Sequence, residues 1–179
     1  MVLTPLHYVA GYIVWRISGR RLSLPSLTVA SMIPDIEVPI LVLMGCQYPY
    51  TRLLTHSFLG SLTVDVVLTL IFTPIYLKGL RCIGINAPKM QDLKLAIISA
   101  FPGTLSHVFI DSMHHIYNPL LYPITTHSFD AFVLFGNWYL ASIILQAVFL
   151  FALVAIFLWE MRSANWNFKL GMARMLIGW

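Results

Sequence analysis

The sequence has few charged residues, little cysteine and no basic segment ahead of its first apolar stretch. Only 10% of its 179 residues are charged, against about a quarter in an average soluble protein. The formal net charge of +4 comes from 11 lysines and arginines scattered among apolar runs, which argues against a nucleic-acid-binding surface. We therefore expect neither a soluble domain nor a nucleic-acid partner.

Two further absences concern export and redox chemistry. The first basic residue, Arg16, follows the first apolar stretch rather than preceding it, which is the wrong order for a cleavable signal peptide. Cys46 and Cys82 form no CxxC or zinc-ribbon spacing. The cysteines are therefore interpreted as ordinary apolar residues.

The dominant feature of the chain is its apolar composition. Hydrophobic residues make up 59% of the sequence, and the mean hydropathy is +0.81. The length accommodates about four to six spans of roughly 20 residues. This composition predicts an all-α, polytopic membrane bundle of about five transmembrane helices. The apolar segments are residues 3–17, 27–45, 55–77, 95–117 and 131–159.

Prolines predict a break within the second segment, and the charged residues predict where the transmembrane domain ends. Pro34 and Pro39 each remove a backbone donor within the second segment, which predicts a helix broken in mid-membrane. Basic residues alternate with aromatic and apolar residues after Glu160, a pattern typical of an interfacial helix. We therefore expect a transmembrane helical domain at residues 1–160 and a cytoplasmic, interfacial amphipathic tail at residues 161–179.

The basic residues also predict an orientation. Ten of the 11 fall in the first loop, the third loop or the tail, whereas only Arg52 falls in the second loop. By the positive-inside rule, the N-terminus lies outside and the C-terminus lies in the cytoplasm of a multi-pass inner-membrane protein. This arrangement places Cys46 near the outer end and Cys82 near the inner end, so the two cysteines are not expected to form a disulfide.

The six histidines and seven acidic residues are the informative minority of the sequence. On the predicted topology every histidine lies on the outer side, and Asp35 lies at the break with Glu37 just outward of it. Such groups cost about 2.5–3.5 kcal/mol each at the centre of a membrane helix, so they are usually paired, metal-bound or in a wet cavity. The residues brought towards one level are His7, Asp35, Glu37, His56, His107, Asp111, His114 and His115.

The fourth segment carries the sharpest local pattern. His107 and Asp111 are four residues apart, about 40° round a helix, and His114 is seven from His107, so all three share one face. A neutral imidazole and a carboxylate on adjacent turns can bind a zinc-like ion. A catalytic site needs a third protein ligand and an open position for water, and Asp35, His7 and His56 are the candidates.

Each candidate also has a structural interpretation. His7 can bond a carbonyl or lipid headgroups at a helix start, and Asp35 can cap the second half of a broken helix. His107 and Asp111 can form a hydrogen-bonded pair between helices. His56 can belong to a cap at the interface, and His114 and His115 can support ligands or simply lie at the interface.

Four blocks resemble a known family: TPLHYVAG, SMIPDIE, THSFLGSL and GTLSHVFIDSMHHIYNPLLYPI, which occur in this order between residues 4 and 124. They are similar to the membrane-bound metal-dependent hydrolase family, a group of bacterial and archaeal inner-membrane proteins. The resemblance implies metal binding by His7, Asp35, His56, His107 and Asp111. The chain departs from the family pattern at Arg52-Leu53-Leu54, where members often have Arg-Gly, and in its His114-His115 pair.

These observations support two main hypotheses. The first is a membrane-embedded metal-dependent hydrolase that uses a divalent metal, zinc, on a lipid or lipid-linked phosphate or ester at the outer leaflet, with Asp35 or Glu37 as general base. The second is a non-catalytic metal-binding or structural subunit of a larger membrane complex. The expected partners are membrane lipid, a lipid-like substrate and proteins of such a complex. A metal or proton carrier is disfavoured, because Asp65 is nearly the only ionisable residue in the inner halves of the segments.

Overall fold

The computed structural model describes residues 3–89 and 92–178, and within these ranges it is all-helical, without a β-strand. The all-α prediction is therefore confirmed. The α-helices are α1 (Tyr8–Ile17), α2 (Leu24–Ala30), α3 (Glu37–Leu43), α4 (Phe58–Leu62), α5 (Val64–Cys82), α6 (Leu93–Ser112), α7 (Trp138–Ser163) and α8 (Phe168–Ile177).

Three helical stretches of the described chain are long and apolar enough to cross a membrane. They are Leu24–Leu43, which combines α2 and α3, Leu93–Ser112 and Trp138–Ser163. Helix α1 has only ten residues, and the 19 residues of α5 include three charged side chains. The prediction of a membrane helical protein is supported, but the count of five spans is not confirmed.

The second segment is interrupted near the predicted position. Helix α2 ends at Ala30, a 3-10 helix follows at Ile33–Ile36, and α3 begins at Glu37. Pro34 occupies an early position of the 3-10 helix, where its missing N–H costs little. This interruption sets Asp35 in a short turn between two helices.

Helix α2 lies at the centre of the bundle, against α1, α5 and α6. Leu24, Leu27 and Ala30 on this helix are essentially inaccessible to solvent. Gly103 permits the close approach of α6, because a Cβ at this position would lie 2.5 Å from the Cβ of Ala30. The Oγ1 of Thr104 donates a hydrogen bond of 2.8 Å to the carbonyl of Ser61, which ties α6 to α4.

The C-terminal helix folds back onto the bundle. The side chain of Asn167 caps α8 by accepting a hydrogen bond from the amide of Leu170. Met175 is buried in the core around α1 and α2, and its carbonyl accepts a hydrogen bond of 2.6 Å from the hydroxyl of Tyr8. The location of the C-terminal tail at the cytoplasmic surface stays a prediction. Met1 and Trp179, the outer bounds of the two predicted domains, lie outside the described residues.

Candidate metal centre

Four of the predicted metal ligands meet at one end of the bundle. Asp35 comes from the 3-10 helix, His56 from the loop before α4, and His107 and Asp111 from the last two turns of α6. One donor atom from each of the four residues lies within 4.8 Å of the other three. Residues separated by as many as 76 positions in the chain therefore form a group that can hold a metal ion.

Hydrogen bonds orient the two histidines of this group. The Nδ1 of His107 lies 2.8 Å from the carbonyl oxygen of Ser31, and the Nδ1 of His56 lies 3.2 Å from Oε2 of Glu37. Each acceptor favours a proton on Nδ1, which leaves the lone pair of the neutral ring on Nε2. In both residues Nε2 points at Asp35 and Asp111.

The spacing of these donor atoms fits a common cation better than direct hydrogen bonds. The four Nε2-to-carboxylate distances are 3.4–3.6 Å, beyond the usual N–H···O range of about 2.7–3.2 Å. Donor atoms about 2.0–2.1 Å from a tetrahedral ion lie about 3.3–3.4 Å apart. The Nε2 atoms of His56 and His107 are buried and have no hydrogen-bond partner among the described residues.

His7, the fifth predicted ligand, lies on the opposite oxygen of Asp111. Its Nε2 is 3.4 Å from Oδ1 of Asp111, and its ring stacks on His107 with the ring centroids 4.0 Å apart. The 3-10 helix Thr4–His7 begins with Pro5 near its start and delivers the histidine directly into α1. His7 is therefore adjacent to the four-residue group without belonging to it.

Glu37 lies behind His56 rather than in the centre of the group. Its two oxygens accept hydrogen bonds of 2.7–2.8 Å from the amides of Leu53 and Leu54 and from the hydroxyl of Thr55. Because Oε2 also faces the Nδ1 of His56, the carboxylate holds both the loop and the imidazole ring. This arrangement favours a positioning role over the predicted role as general base.

The loop that carries His56 packs tightly onto the start of α4. Ser57 caps this helix, since its Oγ accepts a hydrogen bond of 3.0 Å from the amide of Gly60 and donates one of 2.7 Å to the carbonyl of Leu54. A Cβ on Gly60 would lie only 1.7 Å from that carbonyl oxygen. Glycine is therefore required here for the loop to hold His56 in place.

Arg52 is a site residue that the sequence analysis missed. Its Nε lies 3.2 Å from Oδ2 of Asp111, and its Nη2 lies 3.8 Å from Oδ1 of Asp35. The side chain is 97% buried, and Nη1 has no hydrogen-bond partner in the described part of the chain. The sequence suggested a topological charge and a departure from the family pattern at Arg52, although its position three residues before Thr-His-Ser was a usable signal for a site residue.

His114 and His115 also face Asp111, although α6 ends before them. The Nε2 of His114 is 3.7 Å from Oδ1, and the Nε2 of His115 is 3.5 Å from Oδ2. Burial lowers the pKa of His114, and it lowers the pKa of His115 to about 2. Both rings are therefore neutral near pH 7, which is the form that binds metals.

Two other ionisable residues lie apart from this centre. His127 is in an exposed loop, where its amide bonds the hydroxyl of Thr125. Asp65 is fully buried on α5, and neither of its carboxyl oxygens has a hydrogen-bond partner among the residues described. Asp65 therefore forms no hydrogen bond to another helix within the described part of the chain.

Comparison with known proteins identifies a family but no activity. No curated protein and no solved structure matches the chain significantly. A family model described as "YdjM inner membrane protein" matches residues 2–178. The match supports an inner-membrane protein, whereas the hydrolase part of the sequence resemblance is not confirmed. Since the match extends over nearly the whole sequence, the chain belongs to the YdjM inner membrane protein family.

Proposed function

We propose that the protein is a membrane-embedded, zinc-dependent hydrolase that acts on lipid or lipid-linked phosphates. The observation that carries the proposal is the geometry of His56 and His107. Both rings are oriented through Nδ1, and both present a buried Nε2 to the carboxylates of Asp35 and Asp111 at 3.4–3.6 Å. Two histidines with only a packing role would not need to direct their Nε2 atoms at the same two carboxylates.

The donor set favours zinc over the hard divalent cations. Two imidazole nitrogens and a carboxylate oxygen suit zinc, whereas magnesium and calcium prefer sites made of oxygen alone. The Nε2 atoms of both histidines lie 3.4–3.5 Å from Oδ2 of Asp111, a spacing compatible with ligands of one zinc ion. The Nδ1 atoms of His56 and His107 donate to oxygens outside the donor set, which is typical of histidines that bind zinc.

A hydrolytic site also needs room for water and a base. A zinc ion would supply a bound water of lowered pKa and would polarise the phosphoryl oxygen. Asp35 has the most exposed side chain of the four donors, 10% accessible against 4% for Asp111, so water reaches the site most easily beside it. We assign His56, His107 and Asp111 as the three metal ligands, which leaves the fourth position for water, and Asp35 as the general base beside that position.

Arg52 favours a phosphate over a neutral ester. A guanidinium group binds phosphate oxygens through paired N–H donors, and Nη1 of Arg52 has no other partner in the described residues. The location of the centre within an apolar helical bundle of membrane type favours a substrate with lipid tails. The predicted orientation, in which this end of the bundle faces outward, places the reaction at the outer leaflet.

The proposal is tested with purified protein reconstituted in lipid nanodiscs. The metal-stripped protein is incubated with zinc and with phosphatidate or a polyprenyl diphosphate, and phosphate release is measured. We expect zinc-dependent release from at least one lipid phosphate and a loss of at least about 100-fold in Asp35→Asn. A matched carboxylate variant, Asp130→Asn, changes an exposed residue that bonds Ser128 and serves as control.

The second candidate function is a non-catalytic metal-binding subunit of a membrane complex. Deep burial favours it, because His107 and Asp111 are almost entirely inaccessible. In this case the zinc would exchange slowly, stable partner proteins would co-purify in fixed ratio, and none of the lipid phosphates would be hydrolysed. These results together would replace the hydrolase proposal.

A further inference from the structure

A second group of buried donors adjoins the proposed zinc ion through Asp111. It consists of Asp111 itself with His114 and His115, whose donor atoms lie within 4.8 Å of one another. The proposed hydrolytic function leaves both of these histidines without a role. Their position needs an explanation, because two adjacent residues of a regular helix point about 100° apart.

We infer that this group binds a second divalent ion, with the Asp111 carboxylate as the bridge between the two ions. The inference rests on the proposed metal centre and extends it from one ion to two. Carboxylates commonly join paired ions about 3.5–4 Å apart in enzymes that cleave phosphate esters. A second ion would thus give a further reason, independent of Arg52, to expect a phosphate ester as the substrate.

The chain is shaped so that both histidines face the same carboxylate. Helix α6 ends at Ser112, and the amides of His114 and His115 both bond the carbonyl of Asp111 in the turn that follows. This turn lets His114 approach Oδ1 and His115 approach Oδ2, with their ring centroids 4.2 Å apart. A helix that continued to residue 117 would separate the two rings.

Contacts outside the group hold these histidines in place. The Nδ1 of His114 donates to the carbonyl of Ile110 at 2.9 Å, which directs its Nε2 towards Asp111. The Oγ of Ser142 on α7 donates to the carbonyl of His114, and the side-chain amide of Asn118 donates to the carbonyl of His115. Such supporting bonds are the pattern that surrounds metal-binding histidines.

Unsatisfied atoms remain at the centre of the group. Oδ1 of Asp111 and Nε2 of His115 are buried and lack a hydrogen-bond partner within the described ranges. His7 adds a further Nε2 only 3.4 Å from the same Oδ1, and its Nδ1 likewise has no partner there. His7 therefore lies on the Oδ1 side of Asp111, beside the second group and outside the three residues that form it.

Charge balance indicates how the two ions differ. The centre contains the carboxylates of Asp35 and Asp111 and the guanidinium of Arg52, and a third carboxylate, that of Glu37, lies directly behind His56. With neutral histidines, one divalent ion cancels the remaining negative charge, whereas a second ion leaves two positive charges in a buried site. The second ion should therefore bind more weakly and together with an anion such as phosphate.

The inference is tested by metal titration of the full-length protein. Metal-stripped protein is dialysed against zinc, with and without inorganic phosphate, and bound zinc is counted per chain by mass spectrometry. We expect the wild type to bind two zinc ions. The affinity for the second ion should be at least about tenfold lower than for the first, and phosphate should raise it. His114→Gln and His115→Gln should each bind one ion, whereas His127→Gln, which changes an exposed histidine, should bind two.

A second measurement does not depend on the folding of the variants. Wild-type protein loaded with Mn²⁺ should give the electron paramagnetic resonance spectrum of two exchange-coupled ions, because a carboxylate joins them. A single uncoupled ion in the wild type would overturn the second site but leave the proposed hydrolase intact. A wild type that binds no metal would overturn both proposals. If phosphate does not raise the affinity for the second ion, the claim that this ion binds together with an anion is wrong.

Discussion

At the residue scale, Glu37 connects the backbone of one loop to the ring of one histidine. We predict that Glu37→Ala lowers the free energy of unfolding by about 2–4 kcal/mol, because two amides, those of Leu53 and Leu54, lose their acceptor. Metal affinity should fall by about 10–100-fold, since His56 loses the contact that orients it. Thermal unfolding and competition with a chelator measure the two effects.

The matched control for this variant is Asp130→Ala. Asp130 is an exposed carboxylate that accepts a hydrogen bond from Ser128, so neither stability nor metal affinity should change appreciably. An unchanged metal affinity in Glu37→Ala would mean that His56 is oriented by other contacts or is not a ligand.

The sequence alone identified most of the residues that meet in the centre. Histidine and aspartate are scarce and costly in apolar segments, so His56, His107 and Asp111 stood out against their neighbours. Arg52 did not, because an arginine between two apolar segments also has an ordinary topological role. The contact between Glu37 and His56 depends on the path of the loop at residues 52–57, which no local pattern in the sequence encodes.

At the scale of secondary-structure elements, the packing of α6 against α2 brings the two parts of the centre together. We predict that Gly103→Ala lowers stability by about 1–3 kcal/mol, because its methyl group would collide with Ala30. The shift of α6 should also weaken metal binding, since His107 and Asp111 lie one and two turns further along the helix. Thermal unfolding with and without added zinc separates the two effects.

The control for Gly103→Ala is a glycine-to-alanine substitution at a helix position where no neighbouring atom would meet the added methyl group. A Cβ on Gly79 of α5 would meet no atom within 4 Å, so Gly79→Ala should be neutral or stabilising by up to about 1 kcal/mol. Equal destabilisation by both variants would show that the α2–α6 contact has no special requirement for glycine.

The elements themselves were only partly predictable. The interruption of the second segment followed from Pro34, whose ring and missing N–H restrict the backbone. The fourth segment was predicted to continue to residue 117, but α6 ends at Ser112, so His114 reaches Asp111 through a turn and not along a helical face. Hydropathy did not indicate this end, because the residues beyond it are still largely apolar.

At the scale of the whole molecule, the orientation in the membrane is the least constrained property. The count of positive charges predicts that the end with the metal centre faces outward. Cys46 follows α3 at that end, whereas Cys82 terminates α5 at the opposite end. Both cysteines are free and at least partly exposed, so they can report on the orientation.

We predict that a membrane-impermeant maleimide added to intact spheroplasts labels Cys82→Ser, which retains Cys46, but not Cys46→Ser. After lysis both variants should react. Labelling of Cys46→Ser alone in intact spheroplasts would reverse the topology and place the proposed reaction at the inner leaflet.

Apolar composition established a helical membrane protein, but the number of spans did not follow from it. Helix α1 has only ten residues, and α5 carries three charged side chains, so these two apolar segments do not meet the length or composition of the three candidate spans. Hydropathy records apolar surface and does not distinguish contact with lipid from contact with other helices.

The central claim is that buried histidines and aspartates at one end of this bundle hold a metal ion. Its most direct test is the metal content of protein purified without chelators, measured per chain by mass spectrometry. The account predicts at least one divalent transition-metal ion, chiefly zinc, in the wild type and its loss in the folded double variant His107→Ala, Asp111→Ala. Wild-type protein without metal, or metal retained undiminished in the double variant, would contradict it.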